Sequence, residues 1–271
     1  GFNSPYHVPY HSGFRSPYGG SSAAPDPILA LFASGEQGAC YDPSDDAANF
    51  QDTAKTVPAG ADDPVRVRVD KSGNGNDAVA PNAASRAIRR TDGTIWWLEY
   101  DGVDDHYVAA IDMSAESAVT SVIGAQLTTN SVMYEHGGST SGDANTFGAL
   151  LLTTRFDFRS TGDNALTNNA RIESLTENQK YVFGCLADIN GGVSGLVKAR
   201  ADQGTFAESA SNQGGGNYSN GNLVVGAREN LSLFYPGNEY GIVIVAGADF
   251  SDLTRLETAE SWAAEKAGIT L

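Results

Sequence analysis

The side chains best suited to chemistry crowd into LEYDGVDDHY (Leu98–Tyr107), which holds Glu99, Asp101, Asp104 and Asp105. On a strand, Glu99 and Asp101 would share a face, the arrangement of an acid and base pair acting on a glycosidic bond. The third acid expected by alternation is missing, because Val103 stands in its place. Asp101, Asp104 and Asp105 are a candidate cation site, with calcium the natural ion for three carboxylates. Their spacing is not that of an EF-hand loop, so it specifies no metal. The plainer alternative is an Asx-type turn whose side chains accept backbone N–H groups.

Other stretches offer less. His136 closes SVMYEH with Tyr134 two residues earlier, a pair capable of acid–base work, although a lone histidine at a strand end is more often structural. Cys185 lies inside the apolar run YVFGCLADI and reads as core. There is no G-x-S-x-G elbow. GGGNYSNGN (214–222) lacks the Lys-Ser/Thr of a phosphate loop and reads as a surface loop between strands. Within it Tyr218, flanked by Asn217 and Asn220, has the makings of a sugar contact: one ring to stack and amides beside it. In IWWLEY, Leu98 and Tyr100 point inward with Trp96, leaving Trp97 outward. Trp97 is then a glycan or interface platform, or is covered by the segment 28–63, the preferred reading.

These residues need strands to hold them. Alternating or apolar runs predict strands at 65–70, 95–102, 106–110, 118–127, 131–136, 147–160, 180–189, 192–200, 221–228 and 240–248. Gly/Asn/Ser clusters, including the tight turn KSGNGN (71–76), separate them. Many short strands with turns between them mean a sandwich or barrel. In the last strand Tyr240, Ile242 and Ile244 would line one face and Val243 and Val245 the other, so it is covered on both sides. The cover is a helix over 251–267, with Leu253, Leu256, Ala259, Ala263 and Ala267 at helical spacing, Ser251 as N-cap and Gly268 just past the end.

The organisation read from the chain is an arm over 1–27, an irregular lead-in over 28–63 packing on the sandwich, and the sandwich with its helix over 64–271. Composition agrees: 31 glycines favour turns, and 41% hydrophobic content sustains a core. A net charge of −16 repels nucleic acid and suits cations, neutral glycans or plain solubility. No apolar run approaches the roughly 18 residues of a membrane span, so no membrane insertion is expected. The start lacks the charged-then-apolar pattern of a signal peptide, and Gly1 without Met suits a processed or trimmed chain. Cys40 and Cys185 allow one disulfide or two buried thiols, and nothing else suggests a disulfide scaffold.

The arm opens with a near-repeat, GFNSPY (1–6) and GFRSPY (13–18). Phe2, Tyr6, Tyr10, Phe14 and Tyr18 give it an aromatic content unusual for a disordered tail, so it reads as a docking segment that grips a partner. Three ordered pieces, DKSGNGN (70–76), YDGVDDHY (100–107) and the strand plus helix of 240–269, resemble the concanavalin A-like, LamG-like jelly-roll domains of bacteriophage and phage-like tail, fibre and spike proteins. The resemblance covers about residues 40–271 and implies an all-β jelly-roll sandwich with one C-terminal helix behind an extended arm. The fold hosts lectins, glycosidases, lyases and adhesion modules; with no catalytic block complete, the expectation is a non-enzymatic appendage on the surface of a virion or phage-like particle. The arm would dock onto other particle proteins, in oligomeric form, and the sandwich would bind host cell-surface polysaccharide. A purely architectural subunit and a polysaccharide-degrading enzyme of the same fold are the alternatives.

Overall fold

The computed structural model describes residues 26–138, 142–163, 167–191, 196–209 and 211–271. The arm residues Phe2, Tyr6, Tyr10, Phe14 and Tyr18 lie outside them. The chain enters through a 3-10 turn (Pro27–Phe32), β1 (Gly38–Tyr41), β2 (Asn49–Phe50), β3 (Val67–Arg68), β4 (Ala78–Val79), β5 (Ile88–Thr91) and β6 (Trp96–Glu99). It continues through β7 (Tyr107–Asp112), β8 (Ala118–Gln126), β9 (Ser131–His136), β10 (Thr146–Leu152), β11 (Arg155–Thr161) and β12 (Thr167–Ile172). The last elements are β13 (Lys180–Asp188), β14 (Leu196–Ala201), β15 (Ala207–Ser209), β16 (Asn220–Val225), β17 (Asn238–Ala246) and helix α1 (Thr254–Ala267).

Two antiparallel sheets form the sandwich. An eight-stranded sheet runs β15-β14-β13-β8-β17-β6-β5, with β1 also paired to β17. A nine-stranded sheet runs β12-β11-β10-β9-β16-β7-β4-β3-β2. Their inner faces enclose one core that includes Tyr107, Ile123, Phe147, Phe156, Phe158, Phe183 and Ile244. The jelly-roll sandwich with one C-terminal helix is therefore the fold of this chain.

The two-sided strand behaves as its pattern predicts, with one shift. Ile242 and Ile244 enter the inner core, while Val243 and Val245 meet Leu256, Ala259, Trp262 and Ala263 of α1. Burying each such aliphatic side chain contributes about 1.5–3 kcal/mol. The register slips between Glu239 and Gly241, where a bulge inserts an extra residue. Tyr240 consequently leaves the face of Ile242, packing beside Trp97 (6.3 Å between centroids) and under Lys180. Glu239 turns inward in its place. Gly241 makes the bulge workable: its φ is 154°, and a Cβ there would sit 2.7 Å from the Trp262 ring.

Several boundaries differ from the pattern. Residues 28–63 contribute a full strand, since β1 pairs along β17 from Gly38↔Val245 to Tyr41↔Ile242. The run 147–160 is two strands folded at Thr153-Thr154. α1 starts at Thr254 rather than 251, because Ser251 bonds back to Asp249 and Asp252 accepts from the Thr254 N–H. Gly268 closes it in the left-handed conformation, as expected. DKSGNGN is a cage: Asp70 accepts from the N–H groups of Cys40, Ser72 and Asn76, and Asn74 and Asn76 donate to Gly38 O, which fixes β1. Cys40 faces the helix layer and Cys185 the inner core, so the two thiols lie on opposite faces of one sheet and stay unpaired.

Candidate functional site

Most residues nominated by sequence are tied up structurally. Tyr218 is 2% exposed, its hydroxyl 2.9 Å from Ser160 Oγ and its ring edge-on to Phe147, so it cannot stack on a sugar. The glycine-rich loop turns this amphipathic ring into the core. Asn217 donates to Ser114 O, and Asn220 is exposed at the start of β16. Trp97 is half-buried on the outer side of the other sheet, with the Tyr240 ring beside it at 6.3 Å between centroids. The four residues therefore do not form one site. Trp96 is only half-buried and lies under the Arg89 guanidinium at 3.9 Å, not in the core.

The acidic and basic candidates fare similarly. Glu99 is exposed and paired to Arg90 at 2.6 Å near the sheet edge. His136 is buried, stacked on Phe147, and donates from Nε2 to Ile111 O, and burial lowers its pKa. Tyr134 Oη is 2.5 Å from Ser121 Oγ inside the sandwich. Asp101, Asp104 and Asp105 do converge, with one oxygen from each within 4.8 Å of the others. Asp101 accepts from the N–H groups of Val103 and Asp104, and Asp105 accepts from that of Asp101, which is the Asx-type turn. Burial, with Asp101, Asp104 and Glu99 adding repulsion, pushes Asp105 up to about 6.

A different constellation is assembled on the outer face of the nine-stranded sheet. β11 reads RFDFRST, and Phe156 and Phe158 point into the core, so Arg155, Asp157 and Arg159 point out. Pairing sets Arg171 of β12 beside Asp157, and aligns Arg159, Gly148, Glu135 and Val224 across four strands. Gly148 puts no side chain between Arg159 and Glu135. Asp157 is fully buried and shared by three guanidinium groups: Arg171 Nε at 3.0 Å, Arg155 Nε at 3.1 Å and Arg159 Nη2 at 3.8 Å. The β16–β17 loop folds over the same face, where Arg228 Nε lies 3.5 Å from Glu135 and the Glu229 N–H donates to it.

Of the three arginines around Asp157, Arg159 lies farthest from it. Burial pulls its pKa down, Arg228 and Arg155 push the same way, and Asp157 and Glu135 oppose them. Glu229 is pushed up by burial, with Glu135 and Asp143 adding to the effect. Two hollows flank the cluster. One of about 540 Å³ is bordered by Asn130, Thr153, Thr154, Arg155 and Ser174. The other, about 310 Å³, is bordered by Asn168, Asn169, Arg171, Ser209 and Ser211. Both offer amides and hydroxyls beside an arginine. A third hollow of about 540 Å³ runs along α1 from Asp26 and Pro27, away from this face.

No protein-family model matches the chain. No curated protein matches it. Solved structures share the fold. An arabinofuranosidase complexed with arabinofuranosyl-alpha-1,2-xylobiose is 12% identical with a TM-score of 0.53, over 88% of this chain and 65% of that one. The binding domain of botulinum neurotoxin serotype D is 9% identical (TM-score 0.52), over 86% of this chain and 52% of that one. Domain 4 of AbnA, a GH43 extracellular arabinanase from Geobacillus stearothermophilus, in complex with arabinotriose, is 14% identical (TM-score 0.52), over 84% and 98%. The chain thus spans less than two thirds of the first two and nearly all of the third. At these identities the likeness is one of fold.

Proposed function

We propose that this chain is a glycan-binding β-sandwich whose ligand face is the outer face of the nine-stranded sheet. The observation that carries the reading is the polar constellation of Arg155, Arg159, Arg171, Glu135 and Asp157 there, flanked by two hollows of sugar size. The fold supports it, since neighbouring structures hold arabinotriose or a substituted xylobiose. The setting we propose is the surface of a phage or phage-like particle, with residues 1–27 docking onto other particle proteins. That part rests on the sequence resemblance and the aromatic repeat. Many weak contacts on many copies would then sum to useful affinity.

The test is retention of capsular and lipopolysaccharide preparations by the full chain coupled densely to beads, with polymer length read in parallel. Retention without shortening supports the reading. No retention from any preparation sinks it. An enzyme reading is favoured by one observation: Glu135 and Asp157 are two carboxylates on one sheet face in a fold shared with an arabinofuranosidase. Shortening that disappears in Glu135→Gln would establish it. For the arm, residues 1–27 should resist protease on particles and be cut in the free protein.

A further inference from the structure

We infer that the ligand of this face is an anionic glycan, whose carboxylate or sulfate groups are held by Arg155, Arg159, Arg171 and Arg228. The inference rests on the reading of the face as the glycan-binding surface and names the substrate class.

Three observations carry it. The first is stoichiometry. Four guanidinium groups face two buried carboxylates: Asp157 lies within 3.8 Å of Arg155, Arg159 and Arg171, and Glu135 lies beside Arg228 and acts on Arg159, so N–H forks remain for another acceptor. A guanidinium fork matches a carboxylate or sulfate with paired charge-assisted hydrogen bonds. The second is accessibility. The side chains of Arg155, Arg159, Arg171 and Arg228 are 30%, 24%, 43% and 18% exposed, whereas Asp157 and Glu135 beneath them are buried. An arriving polymer therefore meets cations first. Glu173 borders one hollow and Glu229 lies beside Glu135, and both moderate the field.

The third concerns what the surface lacks. Neutral sugars are commonly gripped by exposed aromatic rings. Among the described residues the large exposed hydrophobic side chains are Leu29, Val57, Val103, Leu231, Leu233 and Leu271, with no aromatic ring among them. The overall charge opposes such a ligand. A chain of net charge −16 repels polyanions in general, so retention of one requires a local site that overcomes that field.

The experiment uses the full chain on beads with four probes: polygalacturonate, dextran sulfate, neutral arabinan and neutral dextran. At least one anionic polymer should be retained above both neutral ones and released as salt is raised. The first two probes tell carboxylate from sulfate recognition. Arg171→Gln should weaken that retention about tenfold, the size of one charge-assisted hydrogen bond. Asp157→Asn should strengthen it, because it frees three guanidinium groups without changing side-chain shape. A misfolded variant cannot mimic the second result. Neutral polymers retained as well as anionic ones would overturn the inference and leave the proposed function standing. Anionic retention without these opposite shifts would overturn the placement on this face. Retention of none of the four, together with failure of the broader glycan screen, would overturn both readings.

Discussion

Two buried carboxylates divide this molecule into a part that holds and a part that meets. Glu239 lies between the sheets, where Arg68 of β3 reaches it at 2.7 Å, with both side chains at most 1% exposed. Tyr100 donates to the same carboxylate, and the Tyr41 and Tyr107 rings enclose the guanidinium. Asp157 is equally buried but faces three partly exposed arginines on the outer surface. Arg68 and Arg159 both keep an Nε without a hydrogen-bond partner, so an orphan donor does not separate the two sites. What separates them is the ratio of cations to carboxylates and the access of solvent to the cations. One acid to one base in a dry core joins two sheets. On the outer face two buried acids, Asp157 and Glu135, stand against four partly exposed arginines.

The largest effect should come from breaking the matched pair. Glu239→Gln leaves Arg68 charged and unpaired inside the sandwich and should cost about 3–5 kcal/mol in urea unfolding. The double change Arg68→Met with Glu239→Leu should recover most of that loss, since replacing a buried pair by apolar side chains is often close to neutral. Unfolding midpoints for the two variants that coincide would mean the pair is not the clasp described. Next in size is Tyr218→Ala. Removing a large buried ring should cost about 3 kcal/mol and leave glycan retention by the folded protein unchanged. A selective loss of retention would restore Tyr218 to the binding site.

The contrast also marks what was legible in the sequence. The two-sided strand and its helix follow from local patterns, because burial of Val243 and Val245 and the spacing of Leu256, Ala259 and Ala263 are periodic. The Arg68–Glu239 pair was invisible, since its members are 171 residues apart and the alternating strand RVRVD carries no sign of a partner for Arg68. The bulge that turns Glu239 inward and Tyr240 outward has no strong local signature beyond Gly241. The outer face of the nine-stranded sheet was partly legible. RFDFR alternates strictly between charge and phenylalanine, which puts Arg155, Asp157 and Arg159 on one side of any strand built from it. What the pattern could not supply was Arg171, Arg228 and Glu135, which only the sheet order brings alongside. Tyr218 misled because loop composition suggests exposure, while its ring is placed by packing against Phe147.

Asp105 supplies the case of a buried acid with no cation beside it among the described residues. Its ordinary value of 3.8 is pushed up to about 6, first by burial and then by neighbouring carboxylates. The folded state therefore holds this proton more tightly than the unfolded one. Stability from this group is intact below about pH 4, falls as pH rises through 6, and stays low above that. Asp105→Asn keeps an acceptor for the Asp101 N–H and removes the charge. It should be more stable than the parent by about 1–2 kcal/mol at pH 7.5, with the advantage gone at pH 4. A stability difference independent of pH would sink this account. If the turn N–H groups are the partners of these carboxylates, millimolar calcium should leave the melting temperature where it was. A rise that is lost in Asp105→Asn would make Asp101, Asp104 and Asp105 a cation site.

The smallest stability change should come from Asp157→Asn, and that is where the comparison is most exposed. Asp157 and Glu239 are alike in burial, so burial alone predicts similar losses on neutralisation. The ratio of cations to carboxylates predicts otherwise. Arg155 and Arg171 reach solvent and can be hydrated when the carboxylate is neutralised, whereas Arg68 cannot. Asp157→Asn should therefore shift unfolding by no more than about 1 kcal/mol, the range of exposed ion pairs. Urea unfolding of Asp157→Asn and Glu239→Gln side by side measures the difference directly. A loss of about 3 kcal/mol or more in Asp157→Asn would show that the three arginines depend on it as Arg68 depends on Glu239. The outer face would then be a structural clasp, with its cations committed inward and none left for a ligand.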